Sequence, residues 1–93
     1  MAKSSPLTSY RLTEHSRMQM MRRQISENDV AKVLSNPEQW EFVREGRIVY
    51  QSHIQHGSPT KTFLLRIFVD VDREPPEVVT VYLTSKISKY WSG

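Results

Sequence analysis

The stretch Thr13–Ile25, TEHSRMQMMRRQI, decides how the rest of the chain is read. Thr13 is a good helix N-cap and Glu14 stands in the favourable first turn. Met18, Met20 and Met21 offer an apolar stripe. His15, Gln19 and Arg23 recur at four-residue spacing, which stacks them along one helix face. Arg22 borders that face and Arg17 lies on the other flank. One histidine and three arginines against a single acid make the exposed side positive. Such a helix needs a sheet on which to bury its methionines.

A second helix follows at once. Ser26-Glu27-Asn28-Asp29 resembles a capping box with aspartate in place of glutamate. Val30, Val33 and Leu34 then follow i, i+3, i+4 spacing and predict a core face. Asn36-Pro37 ends the helix, because a residue before proline is disfavoured in the helical region. Upstream, Tyr10-Arg11-Leu12 reads as a short first strand. Residues 1–9 read as a mostly disordered leader, with no apolar segment of the kind a secretory signal needs. A single domain is expected over residues 10–93.

The sheet is expected downstream. Trp40, Phe42 and Val43 fit an edge strand or extended connection, and Arg44-Glu45-Gly46 a turn. Arg47–Gln55 alternates, with Ile48, Tyr50 and Ile54 on one side and Arg47, Val49, Gln51 and His53 on the other. Gly57-Ser58-Pro59 makes a hairpin loop. Thr62–Asp70 is apolar on both faces, with Arg66 between them, and suits a central strand. Asp72–Pro76 is a turn. Val78–Thr84 is the last strong strand, with Val79, Val81 and Leu83 opposite Thr80, Tyr82 and Thr84. Ser85–Trp91 is a short terminal helix capped by Ser85. The predicted fold is α+β, two N-terminal helices packed on a small antiparallel sheet in the order β-α-α-β-β-β.

Ninety-three residues allow one domain. There are no cysteines, which removes disulfides and thiolate metal sites and suits a reducing, cytoplasmic setting. No apolar run is long enough for a membrane span, which needs about 20 residues. The net charge of +3 is mild, but the charges alternate in blocks. Basic residues dominate 1–25, acids dominate 26–45, 46–69 holds Arg47, Lys61 and Arg66 with no acid, and 80–93 carries only Lys86 and Lys89. A shared basic surface, and a phosphate-bearing partner, would follow if these blocks meet in space.

LTEHSRMQMMRRQIS resembles the opening of a bacterial family known only as a domain of unknown function, numbered 4258. That opening runs leucine-threonine-x-histidine, two arginines at four-residue spacing, then glycine-isoleucine-serine. Asn36-Pro37 resembles the close of the family's second helix, and VVTVYLTSKISKYW its last strand and tail. The chain departs at Gln19, where the family has its middle arginine, and at Gln24, where it has glycine. In arrangement the family resembles the RelE and BrnT toxins and other small metal-independent RNases. The resemblance implies a toxin-type endoribonuclease acting on single-stranded RNA, with an acidic antitoxin-like protein as a further partner.

Metal-free RNA cleavage needs a base for the 2′-hydroxyl, cations for the phosphorane and an acid for the leaving 5′-oxygen. In this reading His15 is general acid or base. Arg23 and Arg66 clamp the phosphate, and Tyr82 and Lys86 orient or protonate the leaving group. Arg17, Arg22, Arg47, Thr80, Thr84 and Lys89 extend the RNA contact. Each has a competing reading: His15 as a surface or capping residue, Arg66 as the structural partner of Asp70 or Glu77, Thr80 and Thr84 as strand formers. His53 and His56 flank a loop and lack a third metal ligand, so no metal and no cofactor are expected. The alternative function is a non-catalytic RNA- or protein-binding module on the same fold.

Overall fold

The computed structural model describes residues 7–92. The chain order is β1 (Arg11–Leu12), α1 (Glu14–Arg23), α2 (Glu27–Ser35), β2 (Gln39–Arg44), β3 (Arg47–His56), β4 (Lys61–Asp70), β5 (Glu77–Thr84) and α3 (Ile87–Tyr90). The strands form one sheet in the order β1-β5-β4-β3-β2. β2 to β5 pair antiparallel, while β1 runs parallel to β5. The α+β reading therefore holds, and the sheet is mixed rather than purely antiparallel. β1 lies at the free edge of β5, with Arg11 N–H on the Pro76 carbonyl at 2.8 Å and Thr13 N–H on the Val78 carbonyl at 3.1 Å. Residues 1–6 of the expected leader lie outside the described residues. Leu7 packs on the core and its N–H donates to the Leu34 carbonyl at 3.0 Å.

The joint between the two helices follows from local chemistry. Thr13 caps α1 by accepting from Ser16 N–H, and Ser26 caps α2 by accepting from Asp29 N–H. Between them Gln24 N–H reaches the Met21 carbonyl at 3.2 Å, and Ile25 N–H reaches Met20 at 2.8 Å. This is a Schellman ending, with its apolar contact formed by Met20 and Ile25, each 5% exposed. It requires a left-handed residue, and Gln24 holds φ 57° and ψ 42°. The family's glycine at this position fits that backbone at no steric cost.

Helix α1 buries a different stripe from the one its methionines suggest. Ser16 and Met20, one turn apart, face the sheet, whereas Met18 is 47% and Met21 78% exposed. Residues two apart on a helix diverge by about 200°, so Met18 and Met20 cannot share a face. The core joins Met20, Val30, Val33 and Leu34 to Tyr50, Leu65, Ile67, Val81 and Leu83 from one sheet face. A fully buried Leu34 contributes about 1.5–3 kcal/mol. The opposite sheet face carries no long helix. The short α3 lies there, and no side-chain cap from Ser85 forms.

Gln24→Gly should raise stability by about 1 kcal/mol, by relieving a left-handed conformation that costs a side-chain-bearing residue about that much. Denaturant unfolding measures it, and an unchanged or lower midpoint would contradict this account of the joint.

Candidate functional site

Strand register sets four polar side chains in one row across the helix-free face. Tyr82 pairs with Arg66, Arg66 with Gln51, and Gln51 with Gln39. Gln51 is the hub of this row and is 1% exposed. Its Oε1 accepts from Arg66 Nε at 2.8 Å, and its Nε2 donates to Gln39 Oε1 at 2.7 Å and to the Tyr90 carbonyl at 3.2 Å. Those three bonds fix the amide's orientation and with it the guanidinium plane.

Arg66 is half-buried and lies between two rings. Its Cζ is 4.3 Å from the Tyr90 ring centre and 5.3 Å from that of Phe68. Neither expected acid meets it. Asp70 is gripped by Arg47 through Nε at 2.6 Å and Nη2 at 3.1 Å, and Glu77 bonds Arg11. Among the described residues Arg66 has no carboxylate partner, and its terminal nitrogens make no hydrogen bond. Burial lowers its pKa from the usual guanidinium value, partly offset by Tyr90, Glu41 and Tyr82. It remains charged at any pH of interest.

Tyr82 lies directly beside Arg66, exposed, with its ring edge-on to Tyr90 at 5.9 Å. The neighbouring Tyr90 and Thr84 hydroxyls, and after these the Lys89 and Lys86 ammonium groups, hold its phenol below the ordinary tyrosine value. Thr84 Oγ1 accepts from Lys86 N–H at 3.0 Å and so fixes the exit of the chain toward α3. Thr80 lies on the same face, opposite Phe68. The face thus gathers Arg66, Tyr82, Lys86, Thr80, Thr84 and Lys89.

The helix residues stand apart from it. His15, Arg17, Arg22 and Arg23 are all exposed on α1, in the layer behind the opposite sheet face. Arg17 is 3.6 Å from Glu27, and the Arg23 carbonyl meets His56 Nε2 at 2.9 Å. Gln19, one turn after His15, accepts from Val81 N–H at 2.8 Å. Gln19 therefore meets the outer edge of β5 at the rim of the sheet, while the C-terminal end of α1 reaches His56 at the end of β3. Arg47 shares the open face with Arg66, but its guanidinium is occupied by Asp70.

Sequence reasoning left Gln51 and Tyr90 out of the site. Alternation did put Gln51 on the same side as Val49 and His53. A polar residue in the middle of a long inner strand was the available signal. Nothing local marks Tyr90, whose place depends on how the tail folds back.

A positively charged, aromatic-lined sheet face behind two helices defines a small α+β domain with a candidate anion-binding surface. The chain belongs to the family described as domain of unknown function DUF4258, whose sequence model matches residues 12–83. No curated protein and no solved structure matches it. No helix among the described residues is long and apolar enough to cross a membrane.

The Arg47 pairing makes a pH prediction. Hydrogen bonding from Arg47 is the main cause that holds the Asp70 carboxyl below its usual value. A depressed folded pKa gives stability that is present above the unfolded value, about 3.9, and lost as pH falls toward the folded one. Asp70→Asn should therefore lower stability at neutral pH and flatten the acid-side loss below about pH 4. Parallel acid limbs for the two proteins in a pH series of urea melts would refute this.

Proposed function

We propose that the protein is a metal-independent endoribonuclease of the RelE/BrnT type acting on single-stranded RNA, with the helix-free sheet face as its working surface. The observation that carries this reading is Arg66. A half-buried cation without a carboxylate partner is costly, and a bound anion would relieve that cost. Its terminal nitrogens are free for two phosphate oxygens, the bidentate geometry a guanidinium favours. Tyr82 and Phe68 flank it with rings on which bases can stack.

The chemistry follows from the neighbours. The Tyr82 side chain acts in its phenolate form, which its neighbouring hydroxyls and the nearby Lys86 and Lys89 ammonium groups favour, and takes the proton of a 2′-hydroxyl to become the phenol. That oxygen attacks the adjacent phosphorus while Arg66 neutralises the charge on the non-bridging oxygens. The bond to the 5′-oxygen breaks, and Lys86 gives that oxygen a proton. The products are a 2′,3′-cyclic phosphate and a 5′-hydroxyl. Lys89, on the same face, contacts the flanking strand, and an RNA that continues round the β5 edge meets His15 and then Arg22 and Arg23 on α1, where Arg17 is paired with Glu27. An acidic protein laid over the same basic groups would compete with RNA.

The position of His15 favours a second reading, a non-catalytic RNA-binding module on the same face, because it stands at the rim and not beside Arg66. Both readings are tested by incubating single-stranded RNA with the protein in EDTA and reading the product ends. Tyr82→Phe should cost about 10²–10⁴ in cleavage rate with binding retained. Arg66→Ala should cost about 10²–10³ in rate and also weaken binding. Cyclic-phosphate ends that disappear in both variants support the enzyme. Salt-sensitive binding without cleavage leaves the module, and neither activity removes both readings.

A further inference from the structure

We propose that β2 is the contact strand of a two-fold dimer, in which two copies of this chain join edge to edge and antiparallel into one continuous sheet. β2 closes the sheet at the end away from β1 and pairs with β3 alone. Gln51 accepts from Glu38 N–H at 3.1 Å and His53 N–H donates to Glu38 Oε1 at 2.8 Å, so the odd-numbered residues of β3 turn their backbone groups toward β2. Bonded and non-bonded pairs alternate along an antiparallel ladder. Glu41 and Val49 are therefore a bonded pair, and Phe42, opposite Ile48, turns its N–H and carbonyl outward. No partner for these two groups exists among the described residues.

This edge lacks the usual guards against a further strand, which are lysine, proline or cover from a helix or loop. Gln39–Arg44 contains neither lysine nor proline. It exposes Phe42 at 73% and Val43 at 47%, and the Trp40 ring meets Phe42 edge-on at 5.3 Å and widens the apolar surface. Its one irregularity is a bulge, in which Val43 is the extra residue between Phe42 and Arg44.

The bulge makes the strand complementary to itself. Glu41 stands opposite Val49, Phe42 opposite Ile48 and Arg44 opposite Arg47. Glu41 and Arg44 thus share the helix-free face, one ladder step before and one after Phe42. Without the extra residue, period two would put them on opposite faces. A two-fold axis through Phe42 sets that ring against its own image. The same axis sets Glu41 against Arg44 of the second copy, twice. Arg44 is exposed and forms no ion pair among the described residues, its Nη1 donating only to the Glu45 carbonyl at 3.3 Å. Glu41 has no cationic partner and accepts only from Ser92 Oγ, at 2.7 Å. Such an isologous contact closes on itself. RNA does not fit this edge, because Glu41, Glu45 and outward carbonyls flank its one arginine.

Sedimentation velocity over a concentration series should show a monomer–dimer equilibrium, and exchange of the Phe42 amide should slow at least tenfold at the dimer end. Phe42→Asp should weaken association at least tenfold. Arg44→Glu sets carboxylates against carboxylates across the axis, and Glu41→Arg sets guanidinium groups against each other. Each of these variants alone should therefore be monomeric where wild type is dimeric. Mixed together they should associate, because each supplies the charge the other lacks. Both positions are exposed, and circular dichroism of each variant should match wild type. Arg66→Ala should dimerise as wild type does whether or not RNA is cleaved, which separates this test from the RNA reading. A chain that stays monomeric at every concentration overturns the proposal. So does a dimer that survives Phe42→Asp, or a pair of charge variants that fails to associate on mixing.

Discussion

β4 is covered on both faces and paired on both sides, and the rest of the molecule is assembled around it. Leu64, Leu65, Ile67 and Val69 are all fully buried. Four such side chains contribute about 6–12 kcal/mol gross, the size of a whole domain's net stability. Into this strand the sequence puts one interior charge, Arg66. Its Nε bond to Gln51 and its place against two rings offset part of the desolvation, by about 0.5–2 kcal/mol for the ring contact. An apolar residue would satisfy the strand without that cost. The charge is thus retained against the interest of stability, which is the physical ground for giving it a ligand.

The sheet's two ends show how a small domain handles unpaired backbone. At the β5 end β1 covers only two residues, and Gln19 then reaches from α1 to the Val81 N–H. At the other end β2 stops short, and Glu38 does the same for His53. Both are side-chain amide or carboxylate oxygens in the place of a strand carbonyl. The family's arginine at the Gln19 position has no acceptor to offer that N–H. In this chain the position closes an edge, whereas an arginine there would point a cation along the rim. The departure from the family pattern therefore changes what α1 does locally, beyond the loss of one charge.

What the sequence disclosed depended on whether the signal was local. The alternation assigned faces correctly along β3 and over Thr80–Thr84 of β5, because period two is a property of neighbouring residues; at the start of β5 it failed, since a bulge opposite Phe68 and Val69 leaves Val79 unpaired and puts Val78 in the core instead. The caps at Thr13 and Ser26 and the stop at Asn36-Pro37 were legible for the same reason. The buried stripe of α1 was not. Three methionines in four positions cannot all face one way, and serine at Ser16 hides a buried position behind a polar side chain that bonds the Thr13 carbonyl at 2.8 Å. The parallel pairing of β1 and the partner of Asp70 are non-local, since Arg47 and Asp70 meet only through strand register. Arg66 was singled out correctly as unusual, but its surroundings depend on Tyr90, a residue from the far end of the chain.

The two faces of the sheet carry unequal demands, and that inequality shapes the site. The helix face must exclude water, so its polar exceptions, Ser16 and Ser52, are small and bonded. The other face needs cover only over Leu64 and Val49, which the register places next to the glutamine row. The tail provides that cover: Tyr90 stacks on Arg66 and its carbonyl accepts from Gln51, Gln39 Nε2 donates to the Ser92 carbonyl at 2.6 Å and its Oε1 accepts from Ser92 N–H at 3.2 Å, Ser92 Oγ donates to Glu41 at 2.7 Å, and Trp91 lies against the His53 ring at 4.5 Å. These contacts are mostly solvent-exposed hydrogen bonds, each worth about 0.5–1.5 kcal/mol net. The long helices are thus fixed by core packing, whereas the tail that covers Arg66 is fixed mainly by polar and ring contacts to the glutamine row and its neighbours.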